Sequence, residues 1–302
     1  MTGQELPSKR LELEDYLELF TGLGCLPDKY HIELEEGAVP VVHVPREVPV
    51  PQRAKVVEEL KRIEKVGVIV RQEEPTEWVN SLVVVQTPTG AVKLCIDPRD
   101  LNLAIKRPHY PMKTIDEMAS RLQGAKLFSI LDATSGFWQL KLDDESSRLC
   151  AFNTPIGRYR FTRLPFRVKC APEIFQRTMD RMVEDLEGVE VIMDDVVVAG
   201  DETTHDERLQ KFLDRAPKQG LKLNKEKCKI RETQVPHVGH LLSSEGLQID
   251  PQKVKAVQEM PSWICTIPES LPARFVHCGC SAERVGESRQ VVSLRPLTER
   301  EL

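Results

Sequence analysis

Met193-Asp194-Asp195 lies between two runs of β-formers, Val189-Glu190-Val191-Ile192 before it and Val196-Val197-Val198-Ala199-Gly200 after it. Strands so closely spaced must form a tight hairpin, with two adjacent carboxylates at its tip. A two-residue hairpin turn favours Asn-Gly or Asp-Gly because both central residues take positive φ, so turn chemistry alone disfavours Asp-Asp. A hard divalent cation is the compensation that suits the pair. Mg²⁺ is held by one or two carboxylates while substrate phosphates complete its octahedron.

A third carboxylate stands at Asp132, which ends the apolar stretch Leu127-Phe128-Ser129-Ile130-Leu131 and precedes the small, turn-prone Ala133-Thr134-Ser135-Gly136. A strand that ends in Asp can lie beside the Asp-Asp hairpin. Three carboxylates on neighbouring strands can hold two metals about 4 Å apart, the arrangement that activates an attacking hydroxyl and stabilises a leaving oxygen in phosphoryl transfer. An acidic hairpin tip on any soluble protein and a strand-end Asp that caps a helix are the other readings, and spacing alone leaves them open. An aspartic protease is not among them. Its Asp-Thr-Gly or Asp-Ser-Gly signature is replaced here by Asp132-Ala133-Thr134-Ser135-Gly136, with no second copy.

At 302 residues the chain can bury one large core or two modest ones. It has no apolar run long enough to span a bilayer, and its first ten residues lack an apolar signal core. The expectation is an intracellular protein, not secreted, with no membrane partner. The cysteines are scattered without a C-x-x-C pair, so they read as reduced thiols, and His277-Cys278-Gly279-Cys280 lacks the second ligand pair of a zinc site.

Net charge is −5, yet residues 1 to 36 carry nine acids against three bases, a local −6 that leaves the remainder near +1. Within that remainder residues 158 to 177 hold six bases and one acid, and residues 218 to 231 hold six bases and one acid. Basic clusters beside an acidic centre suit a groove for a nucleic-acid backbone, where phosphate neutralisation drives affinity. A solvated charged face remains the plainer reading of each cluster alone.

Periodicity predicts an amphipathic helix over 52–66, with Val56, Val57, Leu60 and Ile63 on one face and Gly67 as its stop. A hairpin follows, Val79 to Gln86 and Val92 to Asp97 across Thr87-Pro88-Thr89-Gly90. Thr114 and Glu117 form the capping box of the next helix. Helices are expected from Pro172 to about Glu187 and from His205 to about Gln219, the second stopped by Gly220. An acidic helix, Leu11 to Phe20, opens the chain and leads into a Pro- and Val-rich extended stretch.

Five groups of residues occur in one order: Asp97-Pro98-Arg99-Asp100-Leu101-Asn102; Phe128 through Gln139; Phe152-Asn153-Thr154-Pro155; Leu164-Pro165-Phe166; and Ala171-Pro172-Glu173-Ile174-Phe175-Gln176. With Leu221 through Cys228 and Gly239-His240 downstream, the chain resembles the reverse transcriptase region of gypsy-type LTR retrotransposon Pol polyproteins from about residue 40 to about 261. The resemblance implies an α+β, right-hand polymerase fold with fingers and palm and with the thumb mostly missing. It divides the chain into an acidic connector (1–44), fingers (45–126 and 141–165), palm (127–140 and 166–240), the start of a thumb (241–261) and an aberrant, disordered tail (262–302).

By the same resemblance Asp132, Asp194 and Asp195 match the metal-binding, catalytic aspartates, with two Mg²⁺ ions as cofactor and Mn²⁺ as a substitute. Lys93, Phe137, Phe166 and Arg167 fall in the nucleotide pocket, Phe137 where an aromatic ring lies under the incoming sugar. Gly239 and His240 match the hairpin that grips the primer end. The implied function is RNA-directed DNA polymerase, two-metal transfer of a nucleotide from dNTP to a primer 3′-hydroxyl. The implied partners are an RNA or DNA template with primer, dNTPs, and other Pol and Gag products of the parent element.

The chain departs from the family pattern in ways that raise an alternative, a catalytically inactive relic acting as a nucleic-acid or protein-binding module. Ile192 replaces the usual Tyr, and Gln86 a usual Lys. Arg167 stands where Gly allows close backbone approach to the nucleotide. Pro236 interrupts an expected strand, where a missing N–H is poorly tolerated. After Pro261 the sequence shows neither helical nor strand periodicity, which suggests a frameshift or missplicing.

Overall fold

The computed structural model describes residues 13–87 and 90–259, and the backbone of 281–284 and 290–293. The chain divides into two units, residues 1–247 and 248–302. Most of the tail expected to be disordered, including His277, Cys278 and Cys280, lies outside the described residues.

In the first unit Leu13–Phe20, read as a helix in sequence, is a 3₁₀ segment kinked at Tyr16 (φ −119°, ψ 33°). Lys29–Tyr30 (β1) pairs in parallel with Lys141–Leu142 (β6). The helix Val50–Lys65 (α1) starts on a proline and buries Val56, Leu60 and Ile63, one helical stripe. Gly67 at φ +74° turns the chain out of it.

A five-stranded sheet follows in the order β2-β8-β7-β3-β4, built from Ile69–Arg71 (β2), Asn80–Gln86 (β3), Val92–Asp97 (β4), Ala151–Thr154 (β7) and Gly157–Phe161 (β8). The expected hairpin is its β3–β4 edge. Arg99–Ala104 (α2) follows β4, and Asp144–Leu149 (α4) precedes β7 with Asp143 accepting from the Ser146 N–H as its N-cap.

The four-stranded sheet, in the order β11-β5-β10-β9, comprises Leu127–Asp132 (β5), Val189–Ile192 (β9), Asp195–Gly200 (β10) and Lys229–Glu232 (β11). Its strands alternate between two apolar clusters. Leu131, Val196 and Val198 belong to the main core with residues of Ala171–Val183 (α5) and His205–Arg215 (α6). Phe128, Ile130, Val197 and Ala199 face a second cluster with Met118 of Ile115–Arg121 (α3), Val235 and Leu242. Burial on both faces explains why Val196-Val197-Val198 is an unbroken apolar run. Both long helices end before the expected positions, α5 at Val183 and α6 at Arg215.

Gln234–His237 (β12), His240–Ser243 (β13) and Gly246–Ile249 (β14) form a three-stranded sheet. Pro236 is therefore part of a strand after all, opposite Leu241; β12 is an edge strand, where an absent N–H is accommodated. In the second unit Pro251–Gln258 is a helix (α7), and Ser281–Arg284 (β15) pairs antiparallel with Gln290–Ser293 (β16). That pair falls in the tail whose sequence carries no strand periodicity. Among the described residues no helix is long and apolar enough to cross a membrane.

Candidate active site

Strand register decides what the acidic hairpin presents. On β10 Asp195 pairs with Ile192 across the turn and with Asp132 across the neighbouring strand. The two turn residues are thus Met193 and Asp194, while Asp195 already belongs to the strand. Only Met193 takes positive φ, at +56°, so the turn does not place Asp-Asp in its two central positions. The Ala133 N–H extends the ladder by donating to the Asp194 carbonyl at 2.7 Å.

The three carboxylates differ in surroundings. Asp132 accepts from Lys227 Nζ at 3.0 and 3.2 Å. All three are partly buried, and Asp194 Oδ1 is a buried oxygen with no hydrogen-bond partner. Burial, then the charges of Asp132 and Asp195, push the Asp194 carboxyl up to about 6, against the smaller opposing pull of Lys227 and Lys93. Space for that side chain depends on Gly136, where an added Cβ would sit 2.3 Å from Asp194 Oδ1 and 2.8 Å from Phe175 Cζ. Among the described residues no group of three or more His, Cys, Asp or Glu side chains is placed to hold a metal ion. An orphaned, buried carboxylate oxygen among like charges nevertheless fits a divalent cation, which would satisfy that oxygen and relieve the repulsion.

Gln176 of α5 holds the turn. Its Oε1 accepts from the Met193 N–H at 2.8 Å, and its Nε2 donates to the Val191 carbonyl at 2.8 Å and to Asp180 Oδ1 at 3.1 Å. Asp180 in turn accepts from Tyr110 at 2.8 Å and pairs with Lys113 at 2.9 Å, and Lys113 also pairs with Glu190 at 2.8 Å. The sequence contained Gln176 within a motif but showed nothing of this role, because the two hairpin groups it holds lie 15 and 17 residues away.

Of the expected nucleotide-pocket residues, Lys93, Phe137 and Phe166 form one cluster toward this centre, where Lys93 acts on the Asp194 carboxyl and Phe137 packs on Phe175. Lys93 Nζ lies 3.7 Å from the centre of the Phe166 ring, a cation–π contact. Phe137 packs on Phe166 at 5.3 Å and on Phe175 at 5.6 Å between ring centres. Arg167 is exposed and has φ +78°, the backbone that glycine adopts readily and a side chain strains. Its carbonyl accepts from Asn102 Nδ2 at 2.9 Å, and Asn102 Oδ1 accepts from the Lys169 N–H at 2.8 Å, so Asn102 clamps this loop.

Gly239, at φ +76°, and Val238, at φ +45°, form the two-residue turn between β12 and β13. His240 turns back on its own hairpin, with Nδ1 3.2 Å from the Val238 carbonyl oxygen. The residue that meets the carboxylates is instead His237, whose Nδ1 lies 3.4 Å from Asp195 Oδ2. The basic clusters are partly committed within the chain: Arg160 to Asp144, Arg163 to the carbonyls of Gly24, Trp138 and Gln139, Lys227 to Asp132, and Arg231 to Asp206.

Residues 86–275 match the family model described as "Reverse transcriptase (RNA-dependent DNA polymerase)". The chain belongs to the reverse transcriptase family. The match continues beyond Pro261, where the motifs legible in the sequence stop. Relatives of this reverse transcriptase segment include an uncharacterised protein of Caenorhabditis elegans, 33% identical over 86% of the chain and 21% of that protein. The retrovirus-related Pol polyprotein from transposon opus of Drosophila melanogaster is 32% identical over 70% of the chain and 22% of its own length. That from transposon gypsy, also of Drosophila melanogaster, is 33% identical over 57% and 17%. The chain thus spans about a fifth of the length of these relatives. A solved foamy viral protease-reverse transcriptase in complex with RNA/DNA hybrid superposes with a TM-score of 0.75 at 18% identity, covering 83% of this chain and 34% of that one. The shared fold is the right-hand polymerase fold, with mixed α and β content.

Proposed function

We propose that this segment is the polymerase part of a retrotransposon reverse transcriptase, an RNA-directed DNA polymerase that adds a nucleotide from dNTP to a primer 3′-hydroxyl. The observation that carries the reading is the adjacency of Asp132 and Asp195 across paired strands, with a buried carboxylate oxygen of Asp194 that has no hydrogen-bond partner beside them. Two Mg²⁺ ions bound there would lower the charge on the α-phosphate and activate the primer hydroxyl. Asp132, Asp194 and Asp195 would hold them, with Asp132 exchanging its contact to Lys227.

The remaining residues orient. Gln176 and Gly136 fix the Asp194 turn against the sheet. Phe137, packed between Phe166 and Phe175, presents a rigid surface to the nucleotide, with Lys93 placed for its phosphates. The five-stranded sheet and α1 form the fingers, the four-stranded sheet with α5 and α6 the palm, and the β12–β13 turn at Gly239 and His240 holds the primer end. Template, primer and dNTP are the partners this reading requires. Products of the same element are partners only by kinship with Pol polyproteins.

The test is template-directed nucleotide binding. Poly(rA) carrying a chain-terminated oligo(dT) primer should form a Mg²⁺-dependent complex with the chain and dTTP, not with dGTP. Asp132→Asn, Asp194→Asn and Asp195→Asn should each abolish it. Equal retention of dTTP by all three variants would overturn the assignment.

A further inference from the structure

His237 occupies an inward position of β12, where Val235 and His237 are buried and Gln234 and Pro236 exposed. Alternation makes this a core position, and Val235 and Leu242 around it are apolar. An imidazole there needs partners, yet neither ring nitrogen has a hydrogen bond although the side chain is fully buried. The group nearest to one of them is a carboxylate: Nδ1 lies 3.4 Å from Asp195 Oδ2, close enough for an ionic contact but without hydrogen-bond geometry. Asp195 is about one-third exposed.

We propose that Asp195 and His237 form a mixed oxygen–nitrogen ligand pair that takes a transition-metal divalent cation in preference to Mg²⁺. The proposal rests on the reading of the aspartates as metal ligands and adds a ligand to it. Adjacent ligands of a six-coordinate ion with bonds of about 2.1 Å lie about 3.0 Å apart, and those of a four-coordinate ion about 3.4 Å apart. The observed spacing therefore closes on one ion with little movement. Imidazole nitrogen favours transition ions, whereas Mg²⁺ prefers oxygen and retains water. One ion would satisfy a buried nitrogen that the protein leaves without a partner, and water or phosphate oxygens would complete its shell.

The experiment uses the full chain and MnCl₂ without nucleic acid or nucleotide. Mn²⁺ is paramagnetic, and as a hard ion it leaves the thiols elsewhere in the chain as poor competitors. Pulsed electron paramagnetic resonance of the bound ion should show ¹⁴N modulation from a directly bonded imidazole, lost in His237→Phe and in His237→Gln. Each substitution should weaken Mn²⁺ about tenfold and Mg²⁺ less than about twofold. Mn²⁺ bound without nitrogen modulation, or modulation that survives both substitutions, would overturn the proposal and leave the carboxylate site standing. A folded chain that binds no Mn²⁺ would overturn both. A parent spectrum without nitrogen modulation overturns the proposal even where a variant does not fold.

Discussion

Among single residues, Arg167 stands out on the loop that Asn102 clamps. At φ +78° it carries a side chain where the loop calls for glycine. A left-handed backbone strains a side chain by about 1–2 kcal/mol, part of which glycine returns through the freedom of the unfolded chain. Arg167→Gly should therefore raise stability by roughly 0.5–1 kcal/mol, read as a higher midpoint in urea; a lower midpoint would contradict this. Asp194 makes a second expectation. Its folded carboxyl titrates near 6 rather than 3.8, so between these values the folded state binds more protons than the unfolded one. Stability in chelator should fall as pH rises from about 4 to about 6, and Asp194→Asn should flatten that slope; a parent curve that rises across the window would refute it. The aspartates and Arg167 were legible in the sequence because each sits in an ordered run of motif residues. His237 was not, because its meaning comes from a carboxylate 42 residues away that only strand register brings near.

At the scale of elements, the turn of the acidic hairpin is held from outside by α5. Met193 departs from ordinary turn chemistry, and the Gln176 side chain compensates by accepting its N–H and donating to the Val191 carbonyl. Gln176→Ala would leave both groups without partners, so we expect a loss of about 1–3 kcal/mol in chemical denaturation. A loss below about 0.5 kcal/mol would mean that water replaces the amide. Elements with strong local signals were legible: α1 through its apolar stripe and Gly67, α3 through its capping box, and β3–β4 through its turn. The first helix was misread because its apolar spacing fits both helix types, and only packing selects the kinked 3₁₀ form. Pro236 was misread because edge position is a property of the sheet and not of the strand.

Across the whole molecule, the segment that reads as an acidic connector is woven into the main core. Leu19, Leu26 and Ile32 are buried there, and the backbone of Cys25 and Leu26 bonds to Gly220 and Gln139. Gly220 is required by that crossing, since a Cβ would lie 2.1 Å from the Cys25 carbonyl oxygen. Charge counting separates this segment from the rest, whereas its three apolar anchors join the main core and the Leu223 N–H donates to the Leu19 carbonyl. We expect Leu26→Ala to destabilise the chain by about 2–5 kcal/mol, as for a core leucine; a change under about 1 kcal/mol would return the segment to the role of a linker. Turnover is the claim to which every scale contributes. The measurement that tests it most directly is dTTP incorporation on poly(rA)/oligo(dT) with Mg²⁺, parent beside Asp194→Asn. The account predicts incorporation by the parent and none by the variant. A folded parent that binds the duplex and incorporates nothing would contradict it.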